Sequence, residues 1–102
     1  VEEILAQEKV TAVAVKNVKS GAYTMIDCDG VFVAVGNVPA TDFVRDILDL
    51  DENGYFMAGE STKTNVPGVF AAGDCRKKTL RQIVTAAADG AMAAHGVEEY
   101  LS

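Results

Sequence analysis

The spacing of apolar residues changes along this chain, and each spacing predicts a different element. Residues 3–35 read as an antiparallel meander. Ile4, Leu5 and Ala6 form a short apolar stretch, residues 10–18 are rich in valine, and Ser20-Gly21 marks a turn. Residues 22–28 alternate loosely, Asp29-Gly30 turns again, and residues 31–35 (Val-Phe-Val-Ala-Val) have no polar face at all. Such a run predicts a strand buried on both sides.

The pattern breaks at Gly36-Asn37-Val38-Pro39-Ala40-Thr41, a connector in which proline biases Val38 toward extended backbone. Residues 43–50 predict a short helical turn. Asn53-Gly54 is a tight turn before a strand over 55–57, and Val66-Pro67-Gly68 leads into a strand over 69–72. The last segment has helical spacing: Leu80, Ile83, Val84, Ala87, Ala91 and Ala94 fall on one face, predicting a helix from about Leu80 to Tyr100. Thr79-x-x-Gln82 fits a capping box and places the helix N-terminus at Thr79.

Composition narrows the class. Hydrophobic residues make up 49% and charged residues 24%, so an ordered globular chain is expected. Nine basic against fifteen acidic residues give a net charge of −6, which argues against general nucleic-acid binding. The local cluster Arg76, Lys77, Lys78 and Arg81 suits at most one anionic ligand. No apolar run reaches the roughly 20 residues that span a bilayer, and no signal segment opens the chain, so a cytoplasmic, membrane-free protein is expected. Cys28 and Cys75 form no CxxC, and with His95 the only histidine no zinc site is expected. Both cysteines read as reduced, packed small hydrophobes. The start Val-Glu-Glu-Ile-Leu is already strand-like, and reads as a piece of a longer polypeptide.

Residues 49–60 satisfy the written calcium-loop pattern: Asp49, Asp51 and Asn53, then Gly54 and Glu60. A calcium loop needs an exit helix at Glu60, but Pro67, Gly68 and several β-branched residues follow. A hairpin turn joining residues 48–50 to 55–57 uses the same residues better.

The strand over 69–72 runs into Gly73-Asp74 just ahead of the helix, a common ligand position in α/β proteins. Gly73 lets backbone approach a ligand closely, and the Asp74 carboxylate suits sugar or polyol hydroxyls. The N–H groups of Arg81, Gln82 and Ile83 are expected in the first helical turn, free to donate to a carbonyl or partial anion. A polyol attached to an electron-accepting ring would use both features. By residue chemistry alone, the favoured readings are Asp74 as only a turn residue and Gln82 as only the far half of the capping box.

Residues 64–74 (TNVPGVFAAGD), 80–87 (LRQIVTAA) and 89–94 (DGAMAA) resemble the C-terminal signature of the low-molecular-weight thioredoxin reductases, within the flavoprotein disulfide reductases. Residues 30–36 (GVFVAVG), Val38-Pro39 and residues 50–55 (LDENGY) extend the resemblance over essentially the whole chain. Ala40 and Ala88 depart from an asparagine and a glycine common in that family.

The resemblance implies an α/β fold, part of a two-dinucleotide-binding-domain FAD/NAD(P) flavoprotein: an antiparallel β-meander, a closing strand and a long C-terminal helix. It implies strands of an NADPH-binding domain over 1–36, an interdomain hinge over 37–42, and the C-terminal part of an FAD-binding domain over 43–102. Gly73, Asp74, Arg81, Gln82 and Ile83 would contact FAD, Asp74 at the ribityl hydroxyls and the Gln82 and Ile83 backbone at the pyrimidine edge. No catalytic residue and no metal ligand are assigned, since the redox CxxC and both Gly-rich loops of the family have no counterpart here. The whole enzyme would pass electrons from NADPH through FAD to a thioredoxin-like partner, as a homodimer. The 102-residue chain alone is expected to be inactive and to associate through helix 80–100 or a strand edge. The alternatives are the flavoprotein subunit of an alkyl hydroperoxide reductase, or a non-enzymatic calcium-binding or assembly fragment.

Overall fold

A computed structural model describes all residues, 1–102. The chain divides into two compact units, Val1–Gly36 and Asn37–Ser102.

The first unit is an antiparallel meander of β1 (Glu3–Ala6), β2 (Val10–Lys16) and β3 (Tyr23–Asp27), in that order across the sheet. Leu5 pairs with Ala12, and a bulge follows because Ala6 pairs with Val10. On the other edge Ala14 pairs with Met25 and Lys16 with Tyr23. β2 ends earlier than its valines suggest because Asn17 folds the turn. Its Oδ1 accepts the N–H groups of Lys19 and Ser20 at 2.9 and 3.0 Å, and Gly21 supplies the positive φ of 75°.

Residues 31–35 depart from expectation. They form no strand, and Phe32 and Val35 are 100% and 95% exposed. The sheet order closes at β3, so this apolar segment has no strand beside it in its unit. Hydropathy states what a segment is suited to bury against; a ladder also needs a partner.

The second unit holds the core: Leu48, Phe56, Ala58 and Ala71, with Val44, Leu50, Val66 and Cys75 packed around them. A 3-10 turn over Asp42–Val44 leads in, as the sequence predicts for this segment. The expected strands over 55–57 and 69–72 shrink to single bridges, Leu50 with Phe56, Phe56 with Arg76, and Lys63 with Phe70. Side-chain packing and loop hydrogen bonds organise this region, rather than a ladder. Thr41 is buried and donates its hydroxyl to the Gly54 carbonyl at 2.6 Å, fastening the connector to the Asn53-Gly54 turn.

Helix α1 spans Ile83–Leu101. It begins later than the Thr79 box predicts. Gln82 is the N-cap, giving its N–H to Thr85 Oγ1 at 3.0 Å while its side chain accepts the Thr85 N–H. Residues 76–81 are held out of the helix by long side-chain contacts: Arg76 and Lys78 reach Asp89, and Arg81 reaches the Asp74 and Arg76 carbonyls.

The packed face of α1 also differs from the predicted one. Asp89 and Gly96 are buried, while Ile83 and Val84 stand 91% and 73% exposed. Contacts run down the positions 86, 89, 96 and 100. Ala86 lies over Gly73, Asp89 over Arg76, Gly96 over Phe70 and Tyr100 over Gly68. These glycines fit by lacking a side chain: a Cβ on Gly96 would stand 2.6 Å from Phe70 Cε1, whereas a Cβ on Gly90 meets nothing within 4 Å. Gly90→Ala should therefore stabilise the chain by about 1 kcal/mol through helix propensity. Gly96→Ala should destabilise it by roughly 1–2 kcal/mol, because the ring must move. Urea titrations that move both variants the same way would contradict this packing.

Candidate functional site

The site grows from the turn at Gly73. Its φ of 86° is left-handed, which favours glycine, and it aims the Gly73 N–H at Asp89 Oδ2, 2.9 Å away. Asp89 is the anchor of the region. Arg76 grips it with two bonds, Nε to Oδ2 and Nη2 to Oδ1, both at 2.7 Å, and Lys78 Nζ reaches Oδ2 at 2.7 Å. All three side chains are buried. The two Arg76 hydrogen bonds, followed by those from Lys78 and the Gly73 N–H, hold the Asp89 carboxyl well below the usual carboxylate range, against a burial cost that acts the other way. The same pairing raises Arg76.

This ion cluster fastens residues 73–78 to the second turn of α1 and leaves Asp74 on the rim. Asp74 is exposed; its carbonyl accepts Arg81 Nε at 3.1 Å. Asp74, Arg81, Gln82, Ile83, Ala86 and Ala87 line one pocket of about 540 Å3 at the start of α1. Four of the five residues singled out in the sequence therefore meet around one cavity. Gly73 does not line it; it is buried against Ala86, 3.7 Å from where its Cβ would lie, and its left-handed φ orders the turn.

The donor set differs as well. The first-turn N–H groups without an intrahelical acceptor belong to Ile83 and Val84, because the helix starts at Ile83. The Gln82 N–H is already taken by Thr85. Arg76 and Lys78 are committed to Asp89, whereas Arg81 forms no ion pair and lies over the Tyr55 ring, 3.8 Å from its centroid.

Asp89 and Tyr55 are the residues that sequence reading missed. Asp89 sat in view as an acid within a helix of small residues, downstream of two cations. The Asp49–Glu60 stretch is a hairpin turn, with Asp51 Oδ1 accepting the N–H groups of Asn53 and Tyr55 at 2.9 Å and Leu50 bridging Phe56. Residues after Glu60 form turns and one bridge, not the exit helix of a calcium loop. Cys28 and Cys75 are both half-buried and unpaired, and Cys75 packs on the core. No helix is long and apolar enough to cross a membrane.

Residues 1–90 match the profile of the pyridine nucleotide-disulphide oxidoreductases, and the chain belongs to that family. Within it, the similarity is to thioredoxin reductases. The thioredoxin reductase of Listeria innocua is 44% identical over 102 residues, covering 99% of this chain and 32% of that protein. The crystal structure of Lactococcus lactis thioredoxin reductase (FR conformation) superposes with a TM-score of 0.83 at 40% identity, over 96% of this chain and 33% of that one. That of T. acidophilum thioredoxin reductase gives a TM-score of 0.84 at 39% identity, over 97% and 34%. The chain thus spans about a third of the length of these relatives. Its antiparallel sheet followed by a long helix matches part of their flavoprotein fold.

Proposed function

We propose that residues 43–102 supply one edge of the FAD site of an NADPH-dependent thioredoxin-disulfide reductase, with residues 1–36 belonging to its NADPH-binding domain and 37–42 to the hinge. The observation that carries this reading is the convergence of Asp74, Arg81, Gln82 and Ile83 on one pocket at the start of α1. The residues suit the cofactor chemically. Asp74 offers an exposed carboxylate, free of any ion pair, to ribityl hydroxyls. The Ile83 N–H and the positive end of the helix at the pocket would suit a ring carbonyl. Ala86 and Ala87 leave a flat wall for an aromatic ring. Bound there, FAD would carry an electron pair between NADPH and a disulfide of a thioredoxin-like protein.

The chain's own part is binding and orientation. It holds no CxxC pair and no Gly-rich phosphate loop, so the disulfide chemistry and the pyrophosphate contacts lie with other segments. A homodimer in the cytoplasm fits this role. The test is to purify the full-length protein carrying this sequence. It should be yellow, bleach with NADPH, and recover colour on adding an oxidised thioredoxin. A colourless protein that does not take up FAD would overturn the reading.

A further inference from the structure

Arg81 is held unlike the other buried-edge cations. Arg76 and Lys78 give their charge to Asp89, whereas Arg81 forms no ion pair. Its Nε donates to the Asp74 carbonyl at 3.1 Å, its Nη2 to the Arg76 carbonyl at 3.3 Å, and its Cζ lies 3.8 Å from the centroid of the Tyr55 ring. These contacts fix the guanidinium without neutralising it. Arg81, like Asp74, lines both the first pocket and a second one of about 310 Å3 beside Pro39 and Tyr55.

Tyr55 is itself tied down. Its N–H donates to Asp51 Oδ1 at 2.9 Å, and its carbonyl accepts the Asp51 N–H at 2.8 Å. The next residue, Phe56, gives its N–H to the Cys75 carbonyl at 2.9 Å, and the Tyr55 hydroxyl points to the Asn37 carbonyl at 3.4 Å. The ring is a platform with little freedom. Stacking on an aromatic face suits a planar guanidinium, and a lysine would not be oriented in this way.

We infer that Tyr55 is a positioning residue, holding the Arg81 guanidinium as a fixed positive charge at the pocket wall, and that this charge favours the reduced over the oxidised form of a ligand in the pocket. The inference rests on reading the pocket as an FAD site. Adding two electrons and one proton to the isoalloxazine leaves one extra negative charge on the ring. A preorganised cation and the helix N-terminus both act on that charge in the same direction, at no reorganisation cost.

The experiment measures the midpoint potential of bound FAD in the flavin-loaded full-length protein. Tyr55→Phe keeps the aromatic face and should match the parent. Tyr55→Leu and Arg81→Gln should each make the potential more negative, lowering the ratio of reduced to oxidised affinity about tenfold for a charge several ångströms away in a partly screened site. The double variant should shift no further than Arg81→Gln alone, because Tyr55 acts through Arg81. An unchanged potential in Arg81→Gln, or additive shifts in the double variant, would overturn the inference. Should Tyr55→Leu fold poorly, Arg81→Gln and Arg81→Lys decide it, the lysine recovering only part of the shift. Asp74→Ala separates the two levels. If that variant holds FAD as the parent does, the pocket reading fails; if it loosens FAD while Arg81→Gln keeps the parent potential, only the charge role fails.

Discussion

Asp89→Asn is expected to destabilise the second unit by about 3–5 kcal/mol, the cost of removing one partner from a buried ion cluster. Asparagine matches aspartate in size and its carbonyl still accepts the Gly73 N–H. It leaves Arg76 and Lys78 buried without their ion-pair partner, and desolvated cations without a partner are the expensive outcome. For a chain of this size each kcal/mol lowers the melting temperature by roughly 4–8 °C, so a fall of about 12 °C or more is expected. The effect has a pH signature. Because Asp89 is depressed in the folded chain, its contribution is fully present above the unfolded carboxyl value near ~3.9, and is lost as pH falls through the folded value. The gap between the parent and Asp89→Asn should stay constant from neutral pH to about 5 and narrow below about 4. Thermal melts over that range check both statements. A gap that stays wide in strong acid would mean that asparagine fails through shape, not charge.

Asp74→Ala in the full-length protein should weaken FAD retention about tenfold or more, since a hydrogen bond to a charged acceptor contributes roughly 1.5–3 kcal/mol. Asp74 is exposed, its side chain makes no ion pair, and the fold around it depends on its carbonyl, which alanine keeps. Stability should therefore be nearly unchanged while affinity falls. Equilibrium dialysis followed by flavin absorbance reads the affinity directly. A full flavin complement after dialysis would remove Asp74 from the site.

The contrast between these two aspartates marks where sequence reading works. The meander over Glu3–Ala6, Val10–Lys16 and Tyr23–Asp27 was legible because alternation and turn residues are local signals. The hairpin at Asp51–Tyr55 was legible for the same reason. The existence of α1 was also plain from its spacing, although its first residue was not.

What tertiary structure alone decided is the use of those elements. Gln82, not Thr79, caps α1, because Arg76, Lys78 and Arg81 draw residues 76–81 into contacts that a helical backbone cannot make. The face of α1 that packs is chosen by Asp89 and Gly96, not by Ile83 and Val84. A buried charge meeting its partner 13 residues away, and an aromatic ring seated on a glycine, outweigh a stripe of small apolar residues. Residues 31–35 carry a strand's composition without a strand's neighbours. Local pattern determined which backbone conformations are cheap; pairing across the fold, a property of distances no pattern records, determined which side chains are buried and which line the pocket.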